Sequence, residues 1–357
     1  MMRIRTSSKL LAFIGFSVIV AELAACGVTE AQTGMAPASP AAPVSPIPAV
    51  PASPSPGVAE GPKSPAAQVS TPKRATTAKK TTARRSRRRR QAPLRLPAVN
   101  QYGIPRLHVK AAYVIDGSTN RVLFQKNPER VLPIASLTKL ITAMVFLRTN
   151  PDWDRVIEII PEDVRHSSRS HIRAREEITV RDLIHASLMS SDNVATKALV
   201  RTCGIPHEEF IRRMNIMADS LGLTGSHFVE PTGLSERNVA TAQDCARILR
   251  AASESQVVSA ITQKPQYEFT SNRRLHRLVN TNRLLRSQWT VTSGKTGFIR
   301  ESGYCLVTNV KGPSGVDVTA VVLGAPSNAL RFAEARRILD WTFRFGLALP
   351  VALPEND

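Results

Sequence analysis

Hydrophobic and polar positions fall into three textures along this chain. Leu10 to Ala21 is a twelve-residue apolar run with Ser17 its one polar side chain. From Gln32 to Pro97 the periodicity vanishes into Pro, Ala, Ser and Thr. From Val109 onward, strand and helix periods take over. Lys110 to Asp116 and Arg121 to Lys126 flank the turn Gly117-Ser118-Thr119-Asn120, which predicts a β-hairpin. Leu137 to Leu147 is strongly apolar in a helical pattern, and Val180 to Arg201 predicts another helix or helix pair that Gly204 and Pro206 end. Further helices are predicted over His207 to Leu221 and Thr241 to Glu254. Tyr304 to Val310 and Val316 to Leu323 read as strands around the turn Gly312-Pro313-Ser314-Gly315, and Ala329 to Phe345 as a closing amphipathic helix. Strands at both ends with helices between them predict an α+β domain, its sheet built from the two ends of the chain.

Composition changes the picture mainly before residue 100. The segment from Gln32 to Pro97 holds thirteen of the 25 prolines, too little apolar surface to build a core, and reads as an extended linker. The formal net charge of +20 invites a nucleic-acid reading, but eleven Lys and Arg crowd into residues 73–95 without one acid. Residues 1–100 carry fifteen basic side chains against Glu22, Glu30 and Glu60, which leaves only +8 for the rest. The run Arg84 to Arg90 therefore belongs to a tether, either simply solvated or attracted to anionic wall polymer or lipid.

The N-terminus has the form of an export signal: Arg3, Arg5 and Lys9, then an apolar run too short to span a bilayer comfortably. Two endings compete. Leu23-Ala24-Ala25-Cys26 resembles a lipoprotein box that would attach the chain to a membrane through a lipid on Cys26, whereas ordinary cleavage would follow Ala31. The expected organisation is a signal over 1–31 (1–25 if lipidated), a linker over 32–100, a catalytic domain over 101–350 and a tail over 351–357. The expected location is periplasmic, and export argues against a nucleic-acid partner. Cys203, Cys245 and Cys305 lack metal-site spacing and read as three packed thiols, or one disulfide with a spare. No metal or cofactor is expected.

Three short elements carry candidate chemistry: Ser136-Leu137-Thr138-Lys139, Ser191-Asp192-Asn193 and Lys295-Thr296-Gly297. A Ser and a Lys three residues apart at a helix start share a face. Free N–H groups there can stabilise an oxyanion. A serine hydroxyl needs a base, and a lysine desolvated beside other cations can lose its proton and act as one. Lys295 would supply such a neighbouring charge and could hold a substrate carboxylate. Ser191 could relay a proton to the leaving nitrogen, and Asn193 offers an amide for positioning substrate. Gly297 would let a ligand lie against a strand edge. Each element alone is weak. Ser70-Thr71-Pro72-Lys73 fits the first pattern inside the linker, and Ser118-Thr119-Asn120 fits the second in a turn. Their conjunction, in this order, is the set found in β-lactamases and penicillin-binding proteins.

From Tyr102 on, the chain resembles a low-molecular-mass penicillin-binding protein of the D-alanyl-D-alanine carboxypeptidase/endopeptidase family. Ile134 to Leu140, Glu230-Pro231-Thr232-Gly233-Leu234 with Asn238-Val239-Ala240, and Lys295-Thr296-Gly297-Phe298 leading to Gly303-Tyr304-Cys305-Leu306 carry the resemblance. It implies a β-lactamase/transpeptidase-like fold, a central antiparallel sheet with flanking helices and a helical lobe. It implies Ser136 as acyl-ester nucleophile, Lys139 as general base, Ser191 and Asn193 as second-motif partners, and Lys295 as carboxylate anchor beside Thr296 and Gly297. The implied oxyanion hole is the backbone N–H groups of Ser136 and Phe298. Peptidoglycan peptides would be the substrate and β-lactam antibiotics covalent inhibitors.

The chain stops about a dozen residues after its last helix, which is similar to the endopeptidase branch that cuts cross-links. Carboxypeptidase activity is the alternative. A β-lactamase needs a deacylating Glu four residues before an Asn; Glu268-Phe269-Thr270-Ser271-Asn272 has that spacing without the expected Pro and Leu. A non-catalytic wall binder would normally lose Ser136 or Lys139. A Gly-x-Ser-x-Gly elbow and a His-Glu-x-x-His zinc site are both missing from the sequence.

Overall fold

The computed structural model describes residues 99–100, 103–167, 170–312 and 315–348. The expectations for residues 1–98 and 351–357, Cys26 and the Arg-rich run included, lie outside the described residues. The chain opens with β1 (Ala111–Asp116) and β2 (Val122–Lys126). Their turn is set by Asp116, whose Oδ1 accepts from the Ser118 and Thr119 N–H groups at 2.9 and 3.0 Å. β3 (Leu132–Pro133) leads through a 3₁₀ turn, Ala135–Thr138, into α1 (Lys139–Leu147). β4 (Val156–Glu158), α2 (Pro161–Val164), β5 (Glu177–Thr179) and α3 (Val180–His185) follow. A π-helical turn, Ala186–Ser190, then separates α3 from α4 (Asn193–Thr202). After α5 (His207–Ser220) come β6 (Val239–Ala240), α6 (Ala242–Glu254), α7 (Gln256–Gln263) and the ribbon β7 (Gln266–Thr270) with β8 (Leu275–Val279). The final segment is β9 (Thr290–Ile299), β10 (Gly303–Lys311), β11 (Asp317–Ala325) and α8 (Asn328–Arg344).

One five-stranded sheet, in the order β2-β1-β11-β10-β9, organises the domain, and every neighbouring pair is antiparallel. β1 joins β11 from Ala111↔Leu323 to Asp116↔Val318, so the two ends of the chain do close one sheet. All six residues of β1 are buried because both sheet faces are covered. Alternation then divides the core. Ala112 and Val114 pack with Leu306, Val322 and the α8 residues Phe332, Ala335 and Ile338. Ala111, Tyr113 and Ile115 pack with Val307 and Val321 against α1 and the helical lobe.

The structure differs from the sequence expectation in three places. The Leu137 to Leu147 helix is split, with Ser136 in the 3₁₀ turn and α1 starting only at Lys139. Lys295 precedes the β10–β11 pair, as its place in the sequence implies, but it lies on a further strand that no apolar pattern marks, the ten-residue edge strand β9. The β7–β8 ribbon has no counterpart in the sequence reading, because β8 inverts the usual pattern, with Leu275 and Val279 exposed and His276 buried; Glu268 and Arg277 keep to the outward face and pair across the two strands at 2.9 Å.

Candidate active site

The site forms where β9, the start of α1 and the break between α3 and α4 converge. Ser136 belongs to a turn in which residues three apart eclipse, and its Oγ stands 3.2 Å from Lys139 Nζ. The preceding Ala135 takes φ 49°, a strained conformation for a residue with a Cβ. Two glycines make room for this turn. A Cβ on Gly233, at φ 82°, would lie 2.1 Å from the Ala135 carbonyl oxygen. A Cβ on Gly297 would lie 2.7 Å from the Ile134 carbonyl oxygen and 3.1 Å from Ser136 N. Gly297 is thus needed for β9 to approach the nucleophile turn, a role toward protein that stands beside the one expected for it toward ligand.

Lys139 is fully buried. Besides Ser136, its Nζ meets the Asn193 Oδ1 at 2.6 Å and the Thr232 carbonyl at 2.5 Å. Burial drives its pKa from 10.5 down to about 7, against the opposing fields of Glu230 and Asp192. A neutral amine has two N–H donors and one lone pair. Asn193 and Thr232 accept the two donors, which aims the lone pair at the Ser136 hydroxyl. The geometry suits proton removal from Ser136.

The second element caps a helix while it supplies chemistry. Ser191 ends the π-helical turn at φ 62°, and the Asp192 side chain caps α4 by accepting from Ala195 N at 3.1 Å. Ser170 Oγ donates to the other Asp192 oxygen at 2.6 Å. Burial raises the Asp192 carboxyl pKa, partly offset by these hydrogen bonds. Asn193 therefore enters the site on the first residue of a capped helix.

Lys295 is 1% exposed, and its Nζ donates to Ser191 Oγ at 2.8 Å and to the Thr296 carbonyl at 3.0 Å. Burial, with the Lys139 and Arg331 charges, pushes its pKa well below the lysine range. Among the described residues no carboxylate reaches ion-pairing distance of Lys295. Thr296 Oγ1 is 2.6 Å from Thr281 Oγ1, and Thr281 is tied to the π-helical turn through the Met189 carbonyl. Phe298, half exposed at the end of β9, stacks on Tyr304 with ring centroids 4.1 Å apart.

Hydrogen bonds join Ser136, Lys139 and Asn193 in one group and Ser191 and Lys295 in another, and Lys295 feels the Lys139 charge, so the two groups make one cluster with Thr296, Gly297 and Phe298 along its β9 wall. Sequence reasoning gave no role to Thr232, Glu230, Asp192, Ser170 or Arg331. Arg331 reaches from α8 and donates to the Gly297 and Cys305 carbonyls, both at 3.0 Å. Burial lowers it to about 10. Glu268 and Asn272 lie on the β7–β8 ribbon away from this cluster, where Asn272 Oδ1 accepts from Glu177 N. The three described cysteines, Cys203, Cys245 and Cys305, are free thiols.

A serine beside a buried lysine, under the edge strand of an antiparallel sheet with a helical lobe, defines a serine enzyme of the β-lactamase/transpeptidase-like fold. A family model described as D-alanyl-D-alanine carboxypeptidase, of the S11 peptidases, matches residues 98–327. A D-alanyl-D-alanine endopeptidase of Pseudomonas aeruginosa is 36% identical over 236 residues, 65% of this chain and 76% of that protein. One from Escherichia coli is 32% identical over 269 residues, 73% of this chain and 85% of that protein. The crystal structure of the Streptomyces K15 DD-transpeptidase superposes with a TM-score of 0.64 at 26% identity, over 69% of this chain and 99% of that one. The chain belongs to the D-alanyl-D-alanine carboxypeptidase family of serine peptidases, the S11 family.

Proposed function

We propose that this enzyme is an exported endopeptidase that cuts D-alanyl cross-links in peptidoglycan through an acyl-enzyme on Ser136. The observation that carries the chemistry is the Lys139 fork, with two acceptors for its protons and the nucleophile hydroxyl at its lone pair. Lys139 takes the Ser136 proton as Oγ bonds to the D-alanyl carbonyl carbon. The Ser136 and Phe298 N–H groups stabilise the oxyanion. Collapse breaks the C–N bond, and the leaving amine gains a proton relayed from Lys139 with Ser191 in the chain of hydroxyl and amine groups. Water then attacks the ester as Lys139 takes its proton, and the C–Oγ bond breaks as that proton passes to Ser136 Oγ, which frees the acid product and restores the serine. Lys295, which has hydrogen-bond acceptors but no counter-charge, holds a substrate carboxylate beside Thr296.

Cross-link cutting, rather than trimming of a terminal D-alanine, is supported by the names of the Pseudomonas and Escherichia relatives. Export to the periplasm rests on the N-terminal pattern, and lipid attachment would rest on Cys26. A β-lactam should acylate Ser136 by the same attack. The deciding experiment incubates the purified enzyme with cross-linked and uncross-linked wall fragments and resolves products by mass. Cross-linked dimers should disappear, and a labelled penicillin should attach one-to-one at Ser136 and not to a folded Ser136→Ala variant. Release of terminal D-alanine with dimers left intact would make it a carboxypeptidase. Labelling of Ser136→Ala would overturn the nucleophile.

A further inference from the structure

The stretch Glu230-Pro231-Thr232-Gly233-Leu234 enters the mechanism above only through the Thr232 carbonyl, yet it forms the floor on which the base and nucleophile rest. Glu230 organises it. Oε2 of Glu230 accepts from Thr232 N at 2.7 Å and Thr232 Oγ1 at 2.5 Å. Oε1 accepts from Gly233 N at 2.6 Å, Asn238 Nδ2 at 2.9 Å and Ser235 N at 3.3 Å. Five donors on one carboxylate fold the loop into a single shape, since charge-assisted bonds of this kind are short and directional.

Each product of that shape touches the catalytic turn. The Thr232 carbonyl accepts from Lys139 Nζ. Gly233 lies against the Ala135 carbonyl and Ser136 N with no space for a Cβ. Fully buried Asn238 donates to Thr138 Oγ1 at 3.3 Å, and its carbonyl accepts from Ile134 N at 3.1 Å. The Pro231 carbonyl accepts from Thr142 Oγ1 at 2.7 Å, one turn further along α1. The loop therefore grips residues 134 to 142 from below. Its carboxylate also acts on Lys139 more strongly than Asp192 does, and it favours the protonated amine.

We propose that Glu230 is a positioning residue for the general base: its carboxylate shapes the loop that aims Lys139 and places a negative charge near it. The proposal rests on the reading of Lys139 as base. A neutral amide cannot replace the carboxylate here, because an NH₂ group at either oxygen would face N–H donors. Glu230→Gln thus removes the charge and loosens the loop together.

The test is the pH dependence of penicillin acylation, followed from pH 5 to 10 with thermal melting recorded on the same samples. Glu230→Gln should acylate about 10–100-fold more slowly on the alkaline plateau, as expected for a base displaced by up to about 1 Å. The acid limb should move to lower pH, since the charge that favours protonated Lys139 is gone. A loss that was only structural would lower the rate at every pH and leave the midpoint in place. Thr232→Val, which loosens the same loop with Glu230 still charged, should slow acylation without moving the midpoint. Glu230→Asp, with its charge withdrawn by one methylene, should show both effects to a smaller degree, and it serves if Glu230→Gln does not fold. Wild-type rate and midpoint in Glu230→Asp, or an unmoved midpoint in folded Glu230→Gln, overturns the proposal. An acid limb near 7 that persists in Lys139→Arg instead sinks the base assignment itself.

Discussion

Replacing Lys139 by arginine keeps the positive charge and removes the base. Lys139 is fully buried, and burial lowers its pKa from 10.5 to about 7, so about half of the molecules hold a neutral amine at pH 7. Arginine holds its proton far more tightly than lysine. Burial that leaves lysine half neutral would leave arginine neutral in at most one molecule in ~10²–10³ at pH 7, the difference between the two groups' ordinary basicities. Protonation state alone therefore predicts a ~10²-fold or greater fall in acylation, about 3 kcal/mol of barrier. A planar guanidinium also offers no lone pair to Ser136. The assay is the pseudo-first-order rate of penicillin attachment across pH 6 to 10. The wild-type rate should climb through a midpoint near 7, and the variant should still be climbing at pH 9. Near-normal acylation at pH 7 in Lys139→Arg would refute the chain of reasoning from burial to basicity.

Two further outcomes follow from the same geometry. Lys139→Met should melt higher than the wild type below pH 7. The folded pKa of about 7 lies below the unfolded 10.5, so the unfolded chain binds more protons between those values and stability rises with pH across that window. The gain should be roughly 1–3 kcal/mol, discounted from the ~5 kcal/mol that the full lowering represents because the Asn193 and Thr232 acceptors lose a partner. It should shrink toward pH 10, and an advantage that grows with pH would contradict the assigned shift. Gly297→Ala places a Cβ 2.7 Å from the Ile134 carbonyl oxygen and should push β9 away from the nucleophile turn. Acylation should fall about 10²-fold at a stability cost of about 1–3 kcal/mol, and an unchanged acylation rate would show that this contact is slack.

The sheet was legible because its strands come from the chain's ends and alternate clearly. Val114 and Ile115, one residue apart, face opposite cores. The three candidate triplets were legible because their residue types and order, not an apolar period, mark them. What stayed hidden has common physical causes. β9 includes Ser293, Gly294, Lys295, Thr296 and Gly297, polar or small residues buried for chemistry and close approach, so no apolar period marks it as a strand. The π-helical turn before Ser191 reads as ordinary helix, since its composition, Ala-Ser-Leu-Met-Ser, is that of a helix. Glu230 carried no visible role because its work is done through backbone groups, which the sequence does not display. Arg331 lies 36 residues beyond Lys295, and only the packing of α8 on the sheet brings it to the Gly297 carbonyl.

The charges of the site explain how one pocket can keep one lysine neutral and use another as a cation. Lys139, Lys295 and Arg331 are all buried, and Lys295 feels both of the others. Three buried cations close together cannot all hold their protons cheaply. Arginine keeps its proton, since even at about 10 it remains charged at neutral pH. The remaining cost falls on the two lysines. Glu230 and Asp192 lend Lys139 some negative field, but neither reaches Lys295, whose bonds go to a hydroxyl and a carbonyl. On the proposed reading, the substrate carboxylate arrives at Lys295 and supplies the missing counter-charge by direct contact. That holds a proton on Lys295 while repulsion between the lysines disfavours one on Lys139. Two lysines in one pocket are thereby pushed toward opposite protonation states, and it is the bound substrate that completes the separation.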